Sequence, residues 1–305
     1  LVQNLSSGQG PRRAASYWRR RIKALNYRHH FHAGNFADLV KHAILLALLD
    51  EMLRAPEALS VIDTHAGAGA YDLEGEAAKK SGEAANGVVK LMADEAAPAV
   101  FAPLKAAVRA ENPGGGTKVY PGSPALILAK LRVGDSFLGC ELRPDDHKAL
   151  AQLICARTRK GVRATALATD GYEALAQGRA GAGPRLALID PPFERGDEYA
   201  RVVETVRADA GRGGEAVYMI WTPLKDLQTF DSFLGGVEAI GLPGLAVETR
   251  LRPLDRPLKL NGCSVVLLGR RALLTAMEPR ARAAADWVAT RLGGEGAQAR
   301  IERLN

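Results

Sequence analysis

Cysteine is nearly absent from this chain. The 305 residues contain three, Cys140, Cys155 and Cys263, odd in number and scattered. A disulfide framework needs pairs and a structural zinc site needs close spacing, so neither is expected, and a reducing cytoplasm suits the sequence. No apolar run approaches the roughly 18 residues of a membrane-spanning helix. Residues 1–24 hold no acid and no long apolar stretch of the kind a secretory signal carries. There is no internal repeat. What is present is ordinary for a globular protein, 47% hydrophobic and 25% charged residues, which excludes a wholly disordered or fibrous chain. This length buries a core large enough to need no covalent staple.

The formal charge is +7 and the pI about 9.4, which invites a nucleic-acid reading. The excess is local. Arg12, Arg13, Arg19, Arg20, Arg21, Lys23 and Arg28 lie in the first 28 residues beside no acid, so the remainder is balanced. Residues 1–25 are thus expected to be a basic, disordered extension. Three readings suit it: an arm that touches RNA, a transit-like segment, or a translated segment upstream of a start near Leu25.

Beyond it the sequence alternates between elements. Asn35 is a candidate cap for an apolar helix running to about residue 53, with Asp38 in its first turn. Short apolar runs predict strands at 59–63, 119–120, 136–141, 166–170, 185–190 and 216–221. Helices are expected at 145–157, 171–178, 197–209 and 225–236. Segments 243–251 and 263–268 read as a closing antiparallel pair, and 276–305 as an amphipathic helix around Trp287 followed by a polar tail. Strands alternating with helices predict a doubly wound, Rossmann-like α/β sheet. It spans 26–71 and 117–275, with 72–116 as an inserted helical subdomain.

Four strand exits carry chemistry. Asp63-Thr-His-Ala-Gly-Ala-Gly69 brings glycines to the first, where backbone can approach a ligand. The third glycine of a dinucleotide fingerprint is missing, because position 72 is Asp72. That departure points to a nucleoside lacking a pyrophosphate, although a plain tight turn would look the same. Glu141 ends the next strand, where an acid accepts from ribose hydroxyls, or simply faces solvent. Its distance from Gly69 far exceeds the usual ~20 residues, and the insertion accounts for this. Asp170-Gly171 suits an adenine edge or a helix cap. Asp190-Pro-Pro-Phe193 is the most specific signal. Two prolines force an extended turn and remove two donors, which leaves a carboxylate, free carbonyls and an aromatic ring to receive a flat base bearing an exocyclic amine. His29-His30-x-His32 lacks the companion ligands of a metal site, so no metal is expected. Local packing or contacts to substrate and cofactor suit it better.

Asp190-Pro-Pro-Phe193 resembles the Asp/Asn-Pro-Pro-aromatic motif of S-adenosylmethionine-dependent amino-methyltransferases. Tyr27-Arg-His-x-Phe-His-Ala-Gly-Asn-x-Ala-Asp-x-x-Lys-His42, Asp63-Thr-His-Ala-Gly-x-Gly69, Pro121-Gly-Ser-Pro124, Glu141-Leu-x-Pro144 and Asp170-Gly171 accompany it in order. Together, over about residues 26–270, they resemble the RlmJ family of 23S ribosomal RNA adenine-N6 methyltransferases. The resemblance implies a class I methyltransferase fold and S-adenosylmethionine as cofactor. It places Lys41, His42, His65, Gly67, Ser123, Glu141, Asp170, Gly171 and Asp190 around that cofactor, with Asp190 catalytic. Tyr27, Arg28, Pro191 and Phe193 would meet the RNA, at the position numbered adenine 2030. A monomer acting on 23S RNA before or outside the mature ribosome is expected. Phe193 stands where tyrosine is common, which keeps a stacking face and loses a hydroxyl. The alternatives are a DNA adenine methyltransferase, a non-catalytic nucleic-acid-binding protein on the same fold, and a dehydrogenase, which Asp72 disfavours.

Overall fold

The computed structural model describes residues 32–180, 183–253 and 260–305. Helix α1 (Phe36–Met52) begins where Asn35 Oδ1 accepts the Asp38 N–H at 3.0 Å. Its residues are apolar on nearly every side and most are buried, as in a helix enclosed by its neighbours. Strand β1 (Ser60–Asp63) follows, and then β2 (Ala70–Asp72). The insertion supplies helices α2 (Glu76–Ser81), α3 (Glu83–Asn86), α4 (Val88–Ala93) and α5 (Ala102–Glu111). Strand β3 (Val119–Pro121) pairs antiparallel with β2 in a two-stranded ribbon.

The alternation then runs α6 (Ser123–Lys130), β4 (Ser136–Cys140), α7 (Pro144–Arg157), β5 (Arg163–Leu167), α8 (Gly171–Ala176) and β6 (Arg185–Ile189). It continues α9 (Glu198–Ala210), β7 (Ala216–Pro223), α10 (Leu227–Glu238), β8 (Gly244–Arg250) and β9 (Gly262–Leu268), and ends in α11 (Arg271–Leu292) and β10 (Gln298–Leu304). The main sheet has the order β5-β4-β1-β6-β7-β9-β8-β10. Its first five strands are parallel, and β9 runs antiparallel between β7 and β8.

One sheet face packs on α1, α6, α7 and α11, the other on α8, α9 and α10. Every residue of β6 is buried, as befits a central strand covered on both sides. Ala84, Val88, Leu91, Phe101, Leu104 and Val108 of the insertion belong to the same buried cluster as α1.

Two expectations are corrected. The strand predicted at 166–170 lies at Arg163–Leu167, in register with Ser136–Cys140. As the sheet's edge it tolerates an exposed charge, and Asp170 is instead the cap of α8, accepting the Tyr172 N–H at 3.0 Å. The expected polar tail contains β10, which pairs along β8 from Gln298↔Arg250 to Leu304↔Gly244. Its charged residues alternate with Ala299 and Ile301, which pack on the core, and charge on an edge strand deters further pairing.

Candidate active site

The chain reverses its winding between β4 and β6, on either side of β1. Ligands of doubly wound sheets bind outside the carboxyl ends of the strands at such a switch point. A cavity of about 370 Å³ opens there. Lys41, His42, His65, Gly67, Ser123, Glu141, Asp170, Gly171, Asp190 and Pro191 all line it. Tyr27, Arg28, His29 and His30 lie outside the described residues.

The floor is the loop after β1. Gly67 and Gly69 have φ of +62° and +85°, which favours glycine. The chain then enters β2 rather than a helix, which is why position 72 carries no glycine. The missing close approach comes from beyond the insertion. The Gly122 N–H donates to the Gly69 carbonyl at 2.9 Å, and a Cβ on Gly122 would meet that oxygen at 3.0 Å. Helix α6 therefore delivers its N-terminus and Ser123 to the loop that β1 begins.

Ser123 Oγ donates to Asp63 Oδ2 at 2.7 Å, and the His65 N–H to Asp63 Oδ1 at 3.2 Å. Burial pushes the Asp63 carboxyl up to about 7 against those two hydrogen bonds, with Asp190 reinforcing the rise. Burial also lowers His65 to about 4, with Arg201 adding to the fall. Its ring therefore stands neutral, edge-on to Tyr172 at 4.8 Å.

Each acid is held by its neighbours. Glu141 Oε2 accepts the Gly67 N–H at 3.0 Å and Oε1 the Arg143 N–H at 2.7 Å. Burial raises its pKa above the usual carboxylate value. A carboxylate accepts about four hydrogen bonds, so capacity for hydroxyls is left. Asp170 Oδ2 accepts from Arg201 at 2.9 Å, and that guanidinium lies 4.2 Å over the Tyr172 ring. Gly171 is pressed on Thr64, where a Cβ would fall 1.9 Å from the carbonyl oxygen.

At the far side, Lys41 Nζ reaches Asp190 Oδ2 at 2.5 Å and Asp38 Oδ1 at 2.8 Å. Lys41 is 4% exposed. Burial works against its charge, but the two carboxylates outweigh it and hold its pKa well above the ordinary amine value. Among the described residues no hydrogen bond or ion pair engages Asp190 Oδ1. His42 Nδ1 meets the Tyr120 hydroxyl at 2.8 Å.

Phe193 is placed differently from expectation. It is 3% exposed, lies outside the cavity lining and packs on Tyr199 and Trp221 at 4.7 and 6.0 Å between ring centroids. Its φ of +49° turns the ring inward, and Lys225 Nζ holds its carbonyl at 2.7 Å. The open aromatic face expected after Pro192 is not presented in this conformation. Asp38, Tyr71, Tyr172, Glu198 and Arg201 join the site unforeseen. Only Asp38 left a sequence signal, an acid three residues before a lysine on an apolar helix.

Five parallel strands with the antiparallel β9 set between β7 and β8, and a cavity at the switch point, are the architecture of class I S-adenosylmethionine-dependent methyltransferases. The cavity suits that cofactor: its volume falls in the ligand range, glycine backbone forms one wall, and Glu141 and Asp170 lie in the loops that follow the adjacent strands β4 and β5. The family model described as "Ribosomal RNA large subunit methyltransferase D, RlmJ" matches residues 56–304, and the chain belongs to that family. The ribosomal RNA large subunit methyltransferase J of Escherichia coli K12 is 32% identical over 219 residues, 72% of this chain and 77% of that protein. The protein of that name from Haemophilus influenzae is 32% identical over 235 residues, 75% of this chain and 81% of its own. The crystal structure of LPL1258 from Legionella pneumophila superposes with a TM-score of 0.78 at 24% identity, covering 89% of this chain and 98% of that one, a likeness of fold.

Proposed function

We propose that this protein is a cytoplasmic, monomeric enzyme that methylates N6 of one adenine in 23S ribosomal RNA, at Asp190-Pro-Pro-Phe193. The observation that carries this reading is the state of Asp190. One carboxylate oxygen is fixed by a buried lysine, and the other has no described partner at the rim of a cofactor-sized cavity.

S-adenosylmethionine, when bound, supplies an electrophilic methyl group. Glu141 would hold its ribose, Asp170 and the Gly171 backbone its adenine edge, and Ser123, His65 and the Gly67 loop its amino-acid end. An adenine amine is a poor nucleophile because its lone pair is delocalised into the ring. Asp190 Oδ1 and the Pro191 carbonyl would each accept one N6–H, which favours a pyramidal nitrogen with its lone pair directed at the methyl. Lys41 holds Oδ2 of Asp190 in place, so Asp190 orients the amine through Oδ1 and takes its proton only late, once methyl transfer has acidified it. Positioning and preorganised charge therefore supply most of the rate. The target base must leave its stack, which costs a few kcal/mol in a duplex and less in a loop. Phe193 supports this loop from beneath in the described conformation, and could stack on the base only after the loop turns it outward.

The test is methyl transfer from labelled cofactor to protein-free 23S RNA, assembled large subunits and DNA, with Asp190→Ala beside the parent. The reading predicts label in protein-free RNA and a loss of at least about a hundredfold in the variant. Label in DNA alone, or an undiminished variant, would contradict it.

A further inference from the structure

The insertion grips the start of α1. A Cβ on Gly87 would lie 2.1 Å from the Gly34 carbonyl oxygen, and the Val88 N–H donates to that same oxygen at 2.8 Å. Glu83, the first residue of α3, accepts from Asn35 Nδ2 at 2.9 Å and pairs with His32 Nδ1 at 2.9 Å. Asn35 holds the Asp38 N–H, and Asp38 Oδ2 accepts the Gly34 N–H at 2.9 Å. Asp38 Oδ1 then pairs with Lys41, and Lys41 with Asp190. A continuous polar path thus joins a partly exposed glutamate of the insertion to the carboxylate at the reacting centre.

Only part of this path is needed to build a helix. Asn35 Oδ1 alone caps α1, and a serine would do the same. The Asn35 Nδ2 group satisfies no orphan amide of the helix, and its partner is Glu83. The angle at which α1 leaves its cap decides where Lys41, the sixth residue of the helix and about one and a half turns from its start, places its ammonium. Asp190 sits on another element, so a small rotation of α1 changes the Lys41–Asp190 distance directly.

We infer that Glu83 is a positioning residue. By clasping Asn35 and His32 it fixes the start of α1, and through Asp38 it sets Lys41 against Asp190, so the insertion tunes the reacting carboxylate without touching cofactor or substrate. This rests on the role given to Asp190 above. It assigns the insertion a part in catalysis beyond any grip on RNA.

The test compares Glu83→Ala, Glu83→Gln and Asn35→Ser, with Glu95→Ala as a control on an exposed residue of the same insertion. Three quantities are read: the single-turnover rate on 23S RNA, the cofactor Kd by calorimetry, and the rate at which acetic anhydride labels Lys41, by mass spectrometry. Glu83→Ala and Asn35→Ser should slow turnover by about tenfold and speed Lys41 labelling by a similar factor, with the cofactor Kd within about twofold of the parent. Glu83→Gln should retain most of the rate, because its amide still accepts from Asn35 and donates to the His32 ring. Asn35→Ser keeps the helix cap, so it decides the matter should Glu83→Ala fail to fold. Unchanged Lys41 labelling in Asn35→Ser, or a turnover loss matched by an equal loss of cofactor affinity, would overturn the inference. A parent protein that methylates no RNA would overturn the proposed function, while the labelling rates would still decide whether Glu83 positions Lys41.

Discussion

Two groups beside the cavity, the buried Asp63 and the half-buried His65, titrate in opposition. Between about pH 4 and 6.5 the unfolded chain protonates a histidine that the folded chain keeps neutral at His65, so this residue makes stability rise with pH. Between pH 3.8 and about 7 the folded chain holds a proton on Asp63 that the unfolded chain has released, so that residue makes stability fall with pH. The two slopes largely cancel in the parent and separate in variants. The unfolding midpoint of Asp63→Asn, relative to the parent, should climb between pH 5 and 8. That of His65→Gln should be most favourable near pH 4 and decline toward pH 6.5. Thermal unfolding across that range reads both, and curves parallel to the parent would contradict the assigned burial. Phe193 supplies another residue-scale test. As a buried support, Phe193→Ala should cost about 3–5 kcal/mol of stability, whereas Phe193→Leu should retain most stability and turnover in denaturant and methylation assays. A residue that only stacks on the base would lose turnover in both and stability in neither.

At the scale of elements, the parallel half of the sheet was legible because apolar runs bounded by glycine, proline and acids carry their own punctuation. Asn35 capping α1 and Asp190 closing β6 fall where the sequence places them. Elements whose identity depends on neighbours were not legible. Arg163 begins a strand because it sits at an edge, and β10 is a strand because β8 offers it a free side. The Gly69–Gly122 contact joins residues separated by the whole insertion, so no local pattern records it. Arg201 reaches Asp170 only because α9 packs on α8. The direction of Phe193 was hidden for a similar reason: a positive φ at a non-glycine residue is stabilised from outside, here by Lys225. Lys225→Met should therefore lower turnover several-fold while leaving cofactor affinity near the parent value, in calorimetry and single-turnover assays. Equal loss of both would show that Lys225 supports the whole cavity.

For the whole molecule, the charge that first suggested nucleic acid has moved in meaning. Residues 26–305 carry a formal net charge of only +1, so bulk basicity says little about RNA. The case rests on the family, the cavity and the Asp190 loop. Residues 1–25 hold six bases and no acid. If they contact RNA, deleting them should reduce the slope of log affinity against log salt by up to about 4. An unchanged slope would show that they contribute nothing to binding. The central claim is that Asp190 presents an adenine amine for methylation. It is tested most directly by digesting 23S RNA treated with the parent and with Asp190→Asn, and identifying the methylated nucleoside by mass spectrometry. The account predicts N6-methyladenosine approaching one per RNA with the parent and near none with the variant. A methyl group on a ribose, on a pyrimidine carbon, or equally abundant in the variant would contradict it.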